Sequence, residues 1–233
     1  MKSILNETQL DRDMELSTIL DIPLDQIQRL RIASPESIRV YGGGKEKLTE
    51  EEMERLYQNY SYLKFPAYLR TLMKTSITAR SPELIRLLRQ TKRMDCLDFG
   101  CGVGTHAIAL LENKNIVAVL DVEESPLLNF ALTRIKRRGY FVMTWGHKDI
   151  LPDGYYDLIV CSDVLEHVFD PMKEIGKITK ALKKNGNLHL QVSNMVKDSS
   201  GHFRQSINKW RTHSPSYLRR HYTKAGKTLY VKR

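Results

Sequence analysis

The chain has 233 residues, 41% hydrophobic and 27% charged, a globular mixture that excludes a disordered, collagen-like or coiled-coil protein. A length of this order holds one full domain with an extension, or one large domain. The formal net charge is +10, and residues 197–233 contribute ten Lys or Arg against the single acid Asp198, so attraction to an anionic partner is concentrated at that end.

The apolar runs at 116–120 and 158–161 are far shorter than the ~20 residues of a bilayer span, so no membrane span and no leader peptide are expected. Cys96, Cys101 and Cys161 lie in or beside apolar segments without zinc spacing, which fits reduced thiols in a cytoplasmic protein. Residues 1–41 are predicted to form short helices. Leu16, Ile19 and Leu20 precede a break at Pro23, and Leu24, Ile27 and Leu30 follow it. Gly42-Gly43-Gly44 is a flexible joint, and Thr49 with Glu52 gives the capping-box pattern that starts a helix. Met53, Leu56 and Tyr57 share one face of that helix. Tyr60, Tyr62, Phe65 and Tyr68 then make an aromatic stretch suited to packing or to lining an apolar pocket.

From 82 to 194 helices and short apolar strands alternate. Helices are predicted at 82–90, 105–112, 126–137 and 170–183. Strands are predicted at 94–98, 116–120, 156–161 and 188–193, with a weaker one at 141–144 and a turn at 184–187. This alternation predicts an α/β fold: a doubly wound, mostly parallel, Rossmann-like sheet with a helical N-terminal extension. The basic segment offers helices near 203–211 and 216–224 and one edge strand at 228–231. The chain therefore divides into a helical extension or lid (1–79), a ligand-binding core (80–194) and a basic segment completing the sheet edge (195–233).

The loop Asp98-Phe99-Gly100-Cys101-Gly102-Val103-Gly104 follows a strand and opens a helix, where α/β sheets bind ligands. Asp121 ends the next strand, and a carboxylate there accepts the hydroxyl protons of a ribose. A dinucleotide would bring a pyrophosphate, which the extra carboxylate of Asp98 repels. An ammonium and a sulfonium would be attracted instead, which points to S-adenosylmethionine.

With these motifs the segment 80–194 resembles the class I S-adenosylmethionine-dependent methyltransferases. The likeness extends over Lys148-Asp149-Ile150-Leu151-Pro152, the run from Asp157 to Val168, and Leu182-Lys183-Lys184-Asn185-Gly186-Asn187-Leu188, which is similar to the family's L-K-P-G-G-x-L. The resemblance implies that Asp98, Gly100, Cys101, Gly102 and Gly104 surround the methionine part. It sets Asp121 and Val122 at the ribose, Asp149 and Ile150 beside the adenine, Ser162 under the cofactor and Arg80 at the methionine carboxylate. Asp163-x-x-Glu166-His167 is similar to the E-x-x-E-H of the ubiquinone-pathway O-methyltransferases, whose equivalents can hold magnesium. On a helical turn the three side chains would share a face. His167 is the candidate general base for an acceptor that must lose a proton.

Ser162-Asp163-Val164-Leu165 stands where adenine-N6 methyltransferases carry N/D-P-P-Y/F, and cytosine-C5 methyltransferases need a nucleophilic Cys whereas Cys161 has no activating neighbour, so those two chemistries are set aside. A small-molecule acceptor for O-, N- or C-methylation is the leading expectation. An RNA acceptor is the alternative, because cations in 197–233 are interleaved with Phe203, Trp210, Tyr217, Tyr222 and Tyr230. A non-catalytic, cofactor-binding partner subunit is a third. Members of the resembled family end their sheet with an antiparallel hairpin, of which only 228–231 is visible. A final strand is lost, or hidden in 203–210, or the edge is covered by another subunit of a homo-oligomer.

Overall fold

The computed structural model describes residues 2–30, 49–58, 65–73, 81–90, 93–193 and 203–233. Its centre is a seven-stranded sheet of β1 (Asp95–Phe99), β2 (Ile116–Asp121), β3 (Met143–Gly146), β4 (Tyr156–Ser162), β5 (Leu182–Gln191), β6 (Tyr222–Lys224) and β7 (Leu229–Lys232). The spatial order is β3-β2-β1-β4-β5-β7-β6. The first five strands run parallel, and β7 is antiparallel to both β5 and β6. The order reverses between β1 and β4, and Phe99 is in register with both Leu120 and Cys161. The carboxyl tips of these strands therefore end together, at the switch point where a doubly wound sheet leaves a crevice.

The helices are α1 (Gln9–Leu20), α2 (Leu24–Arg29), α3 (Glu50–Gln58), α4 (Phe65–Met73), α5 (Pro82–Gln90), α6 (Thr105–Glu112), α7 (Pro126–Arg137), α8 (Pro171–Ala181) and α9 (Arg204–His221). The break at Pro23 separates α1 from α2 as the pattern predicts. The expected capping box forms at α3: Glu52 N donates to Thr49 Oγ1 at 3.2 Å, and Thr49 N donates to Glu52 Oε2 at 2.9 Å. The predicted joint at Gly42, Gly43 and Gly44, residues Tyr60 and Tyr62, and Arg80 lie outside the described residues. So do the side chains of Met53, Leu56, Tyr57, Phe65 and Tyr68.

Apolar residues cover the sheet on both faces. Cys96, Val119, Leu158 and Val160 pack with α5 and α6, and Leu97, Phe99, Ile159 and Leu188 pack with α8 and α9. A third group joins the N-terminal segment to the core: Leu16, Ile27, Leu69 and Met73 meet Val103, Leu127 and Phe130. Burying a side chain of this size contributes about 1.5–3 kcal/mol. Residues 2–30 are thus packed into the wall behind the glycine loop. Among the described residues no helix is long and apolar enough to cross a membrane.

Four local expectations change. The third strand starts at Met143, because its pairing with Ala118–Asp121 sets the register, and Phe141 is left 85% exposed outside it. The fourth core helix ends at Ala181, and β5 begins at Leu182 and runs straight through the predicted turn at 184–187. Asn185 takes φ +61° there, and the pairing with β4 shifts between Tyr156 and Leu158, so the turn residues are absorbed as an irregularity in the strand. The two predicted C-terminal helices are one, α9, which carries Pro215 inside it with the ring in solvent. Finally, 228–231 is not the edge. The hairpin partner is β6, three residues directly after α9, too short and too polar on its exposed side to register as a strand pattern. Residues 203–210 hide no strand, and the sheet edges are β3 and β6.

Candidate cofactor site

The loop after β1 is built by backbone hydrogen bonds. Gly100 N and Cys101 N donate to Leu120 O at 2.7 and 3.1 Å, and Gly104 N donates to Cys101 O at 2.8 Å. Gly100, Gly102 and Gly104 have φ of +73°, +51° and +74°, a region that side chains with a Cβ enter at a cost. Their surroundings differ. A Cβ on Gly100 would lie 2.4 Å from Val164 Cγ2, and one on Gly104 would lie 3.1 Å from Ala131 Cβ. A Cβ on Gly102 would meet nothing within 4 Å, so this is the glycine that opens onto the crevice.

Asp98 does not stand open to that crevice, as the charge argument expected. It is 1% exposed, and its Oδ2 accepts from Ala107 N at 2.9 Å, in the first turn of α6. It caps the helix that the loop opens, and burial pushes its pKa up to about 7 despite that bond. Asp121 is only partly covered. Its Oδ2 accepts from Gly102 N at 2.8 Å and its Oδ1 from Val122 N at 2.8 Å, while burial raises its pKa. An ionised carboxylate offers about four acceptor sites; these two bonds and one from the Cys101 thiol leave about one for a hydroxyl of a ribose. Cys101 is buried, with its thiol pKa pushed up by burial and by Asp121. It shapes the loop through its backbone.

Beyond β3, Asp149 Oδ2 accepts from Gly146 N at 2.7 Å, and Asp149 N donates to Gly146 O at 3.0 Å, closing a tight turn. Ile150 is 90% exposed beside it, an apolar side chain without a cover. At the tip of β4 the hydroxyl of Ser162 is buried without a hydrogen-bond partner. Gly102, Asp121, Asp149, Ile150 and Ser162 thus border the carboxyl ends of β1 to β4.

Asp163, Glu166 and His167 do not share a helical face. Asp163 takes φ +56° and donates its N–H to Gln191 O at 2.9 Å, and His167 N closes a turn onto Val164 O at 2.8 Å. Glu166 is fully buried: its Oε1 accepts from Ser193 N at 2.7 Å, and its carbonyl accepts from Phe203 N at 3.0 Å. Its Oε2 has no hydrogen-bond partner, and burial pushes its pKa up to about 7. Among the described residues no three His, Cys, Asp or Glu side chains gather as a metal-binding group.

The methyltransferase-domain family matches residues 67–226, most of the chain and all of this site. The chain belongs to that family. An uncharacterized protein of Methanocaldococcus jannaschii is 30% identical over 64% of this chain and 63% of its own length. Ubiquinone biosynthesis O-methyltransferases of Photobacterium profundum and Vibrio campbellii are 30% and 29% identical over 42% of this chain, which spans 43% of each. A putative S-adenosyl-L-methionine-dependent methyltransferase of Methanococcus maripaludis superposes with a TM-score of 0.48 at 17% identity, covering 81% of this chain and 94% of that one. The methyltransferase's implied cofactor, S-adenosylmethionine, fits the residues present. The open side of Gly102 admits the ligand, Asp121 has an acceptor site left, the hydroxyl of Ser162 lacks a partner, and exposed Ile150 offers an apolar contact. A cation in the crevice would also stabilise the ionised forms of Asp98 and Asp121.

Three contributions to the site were not expected from the sequence. Val164 presses on Gly100 from the β4 side. Glu54 on α3 reaches His147 Nε2 at 3.0 Å and Lys148 Nζ at 2.7 Å, tying that helix to the turn that carries Asp149. Arg134 on α7 donates to Val103 O inside the loop at 2.6 Å. Only Arg134 left a signal, a charged residue among the apolar positions Leu127, Phe130, Ala131 and Ile135.

Proposed function

We propose that this chain is an S-adenosylmethionine-dependent methyltransferase that acts on a small molecule, with His167 as the general base. The supporting observation is the arrangement at the strand tips, where Gly102 opens onto a crevice bordered by Asp121, Asp149, Ile150 and Ser162. The bound cofactor supplies a methyl group already activated by a sulfonium, so the protein's task is alignment, which can supply most of the rate. Asp121 holds the sugar, the glycine loop admits the amino-acid end, and Ile150 covers one face of the base. His167, half-buried in the turn that follows β4, takes the proton that an oxygen or nitrogen acceptor releases.

The C-terminal segment favours a small acceptor over RNA. Trp210 and Tyr222 are buried, and Tyr217 and Tyr230 pack against the same cluster, so the rings that would stack on bases are part of the core. Lys232 Nζ donates to Leu182 O at 2.6 Å and Arg233 N to His221 O at 3.0 Å. These contacts put Lys232, Arg233, Arg219 and Arg220 near the amino end of β5, opposite the strand tips that carry the site.

The test is transfer of a labelled methyl group from S-adenosylmethionine into an extract separated into metabolites, RNA and protein. Label in metabolites supports the proposal. Label in RNA, with binding that weakens steeply as salt rises, assigns the acceptor to nucleic acid. Cofactor binding with no labelled product in any fraction assigns the chain to the non-catalytic class.

A further inference from the structure

Val103, like Cys101, stands between two glycines of positive φ, and one side of its peptide to Gly104 is held by Gly104 N donating to Cys101 O at 2.8 Å. Two further contacts hold it from behind. Its side chain packs among Leu16, Ile27, Leu69 and Met73 of the N-terminal segment. Its carbonyl accepts from Arg134 Nη1, which lies 3.2 Å from Thr105 Oγ1 as well. Arg134 is itself fully buried and needs an anion. Glu15 on α1 supplies it: Arg134 Nε and Nη2 both donate to Glu15 Oε2, at 3.1 and 2.8 Å. The other oxygen of Glu15 accepts from Arg138 Nε and Nη2 at 3.3 and 3.1 Å, and Arg138 in turn meets Glu7 and Glu112. The guanidinium therefore has little freedom to swing.

We propose that Glu15 and Arg134 are positioning residues for the cofactor loop. Glu15 orients the Arg134 fork, the fork turns the Val103 carbonyl back toward α7, and the open side of Gly102 is left to the ligand. The first thirty residues then belong to the binding apparatus although none of the described ones stands at the strand tips. The inference rests on the reading that this loop binds S-adenosylmethionine, and neither residue touches the cofactor.

The experiment compares Glu15→Gln and Arg134→Lys with Thr8→Ala, which removes the cap of α1 without reaching the loop. Thr8 Oγ1 accepts from Asp11 N at 3.2 Å, and its loss weakens the same helix. Calorimetric titration measures the affinity for S-adenosylmethionine, thermal unfolding the stability, and amide exchange the protection of residues 103–107. Glu15→Gln and Arg134→Lys are expected to bind about tenfold more weakly, the low end of one charge-assisted hydrogen bond's worth, with faster exchange at 103–107. Thr8→Ala is expected to lose stability with affinity unchanged. Should Glu15→Gln lose as much stability as Thr8→Ala while binding like the parent chain, the inference is overturned and the pair is merely structural. No binding by the parent chain would overturn the cofactor reading, and this inference with it.

Discussion

Two loops face each other across the crevice, the glycine loop after β1 and the turn after β4, and they are held by different means. The first is fixed by its own backbone: three N–H groups are spent within the loop or on β2, and Asp98 caps the helix it opens. The second combines backbone bonds, Asp163 N to Gln191 O and His167 N to Val164 O, with one buried side chain: Glu166 Oε1 accepts from Ser193 N, while its carbonyl receives Phe203 N. Both loops bury a carboxyl whose pKa is pushed up to about 7. The contrast suggests a division of labour. A cofactor common to a family favours a loop determined by backbone geometry, whereas an acceptor that differs between members suits a loop whose position also depends on a replaceable side chain.

The sharpest break between the two loops is kinetic. His167→Ala is expected to lower the methyl-transfer rate about 100-fold or more while leaving cofactor affinity unchanged, as single-turnover measurements would show. Asp121→Ala is expected to do the reverse. It removes a hydrogen bond to a charged acceptor and weakens cofactor binding about 10- to 100-fold in a calorimetric titration, with the fold intact by circular dichroism. A smaller effect concerns pH. Ionised Asp98 attracts the cationic cofactor more than its neutral demethylated product, so the preference for the cofactor over that product should grow as pH rises from 6 to 8. Asp98→Asn should flatten that rise. The smallest effect belongs to Glu166. Its pKa is raised by folding, so the stability held by its neutral form is present below about pH 4.5 and is lost as pH climbs through about 7. Glu166→Gln should therefore leave thermal stability at pH 5 nearly unchanged and raise it relative to the parent chain at pH 8.

The sequence made the same loops unequally legible. Strand tips, glycines and Asp121 follow from local patterns, since apolar runs and chain punctuation act over a few residues, and the sheet has these where they were expected. Asp98 was misjudged because charge alone does not say which way a carboxyl turns. The nearest uncapped donor, Ala107 N, won it over the ligand. The D-x-x-E-H spacing suggested a shared face only if the backbone were helical, and the positive φ of Asp163 forbids that. β6 stayed hidden because three residues at a helix end carry no period. Arg134 and Glu54 act on the site from distant positions in the chain, and no spacing rule reaches that far; Val164 lies inside the matched run, but its contact with Gly100 is made across from β4 to β1. The break at Pro23 and the capping box at Thr49 were readable for the opposite reason: their partners lie within a few residues.

The three cysteines carry a practical consequence. All are buried, and burial holds their thiols above the ordinary range, so alkylating reagents that need a thiolate find no target on the native surface. Cys161 sits in the central strand, and Cys101 in the loop. Modification of each then reports a separate event, the parting of the sheet or the opening of the loop. The chain carries its own pair of chemical clocks, readable by mass spectrometry without any added probe site.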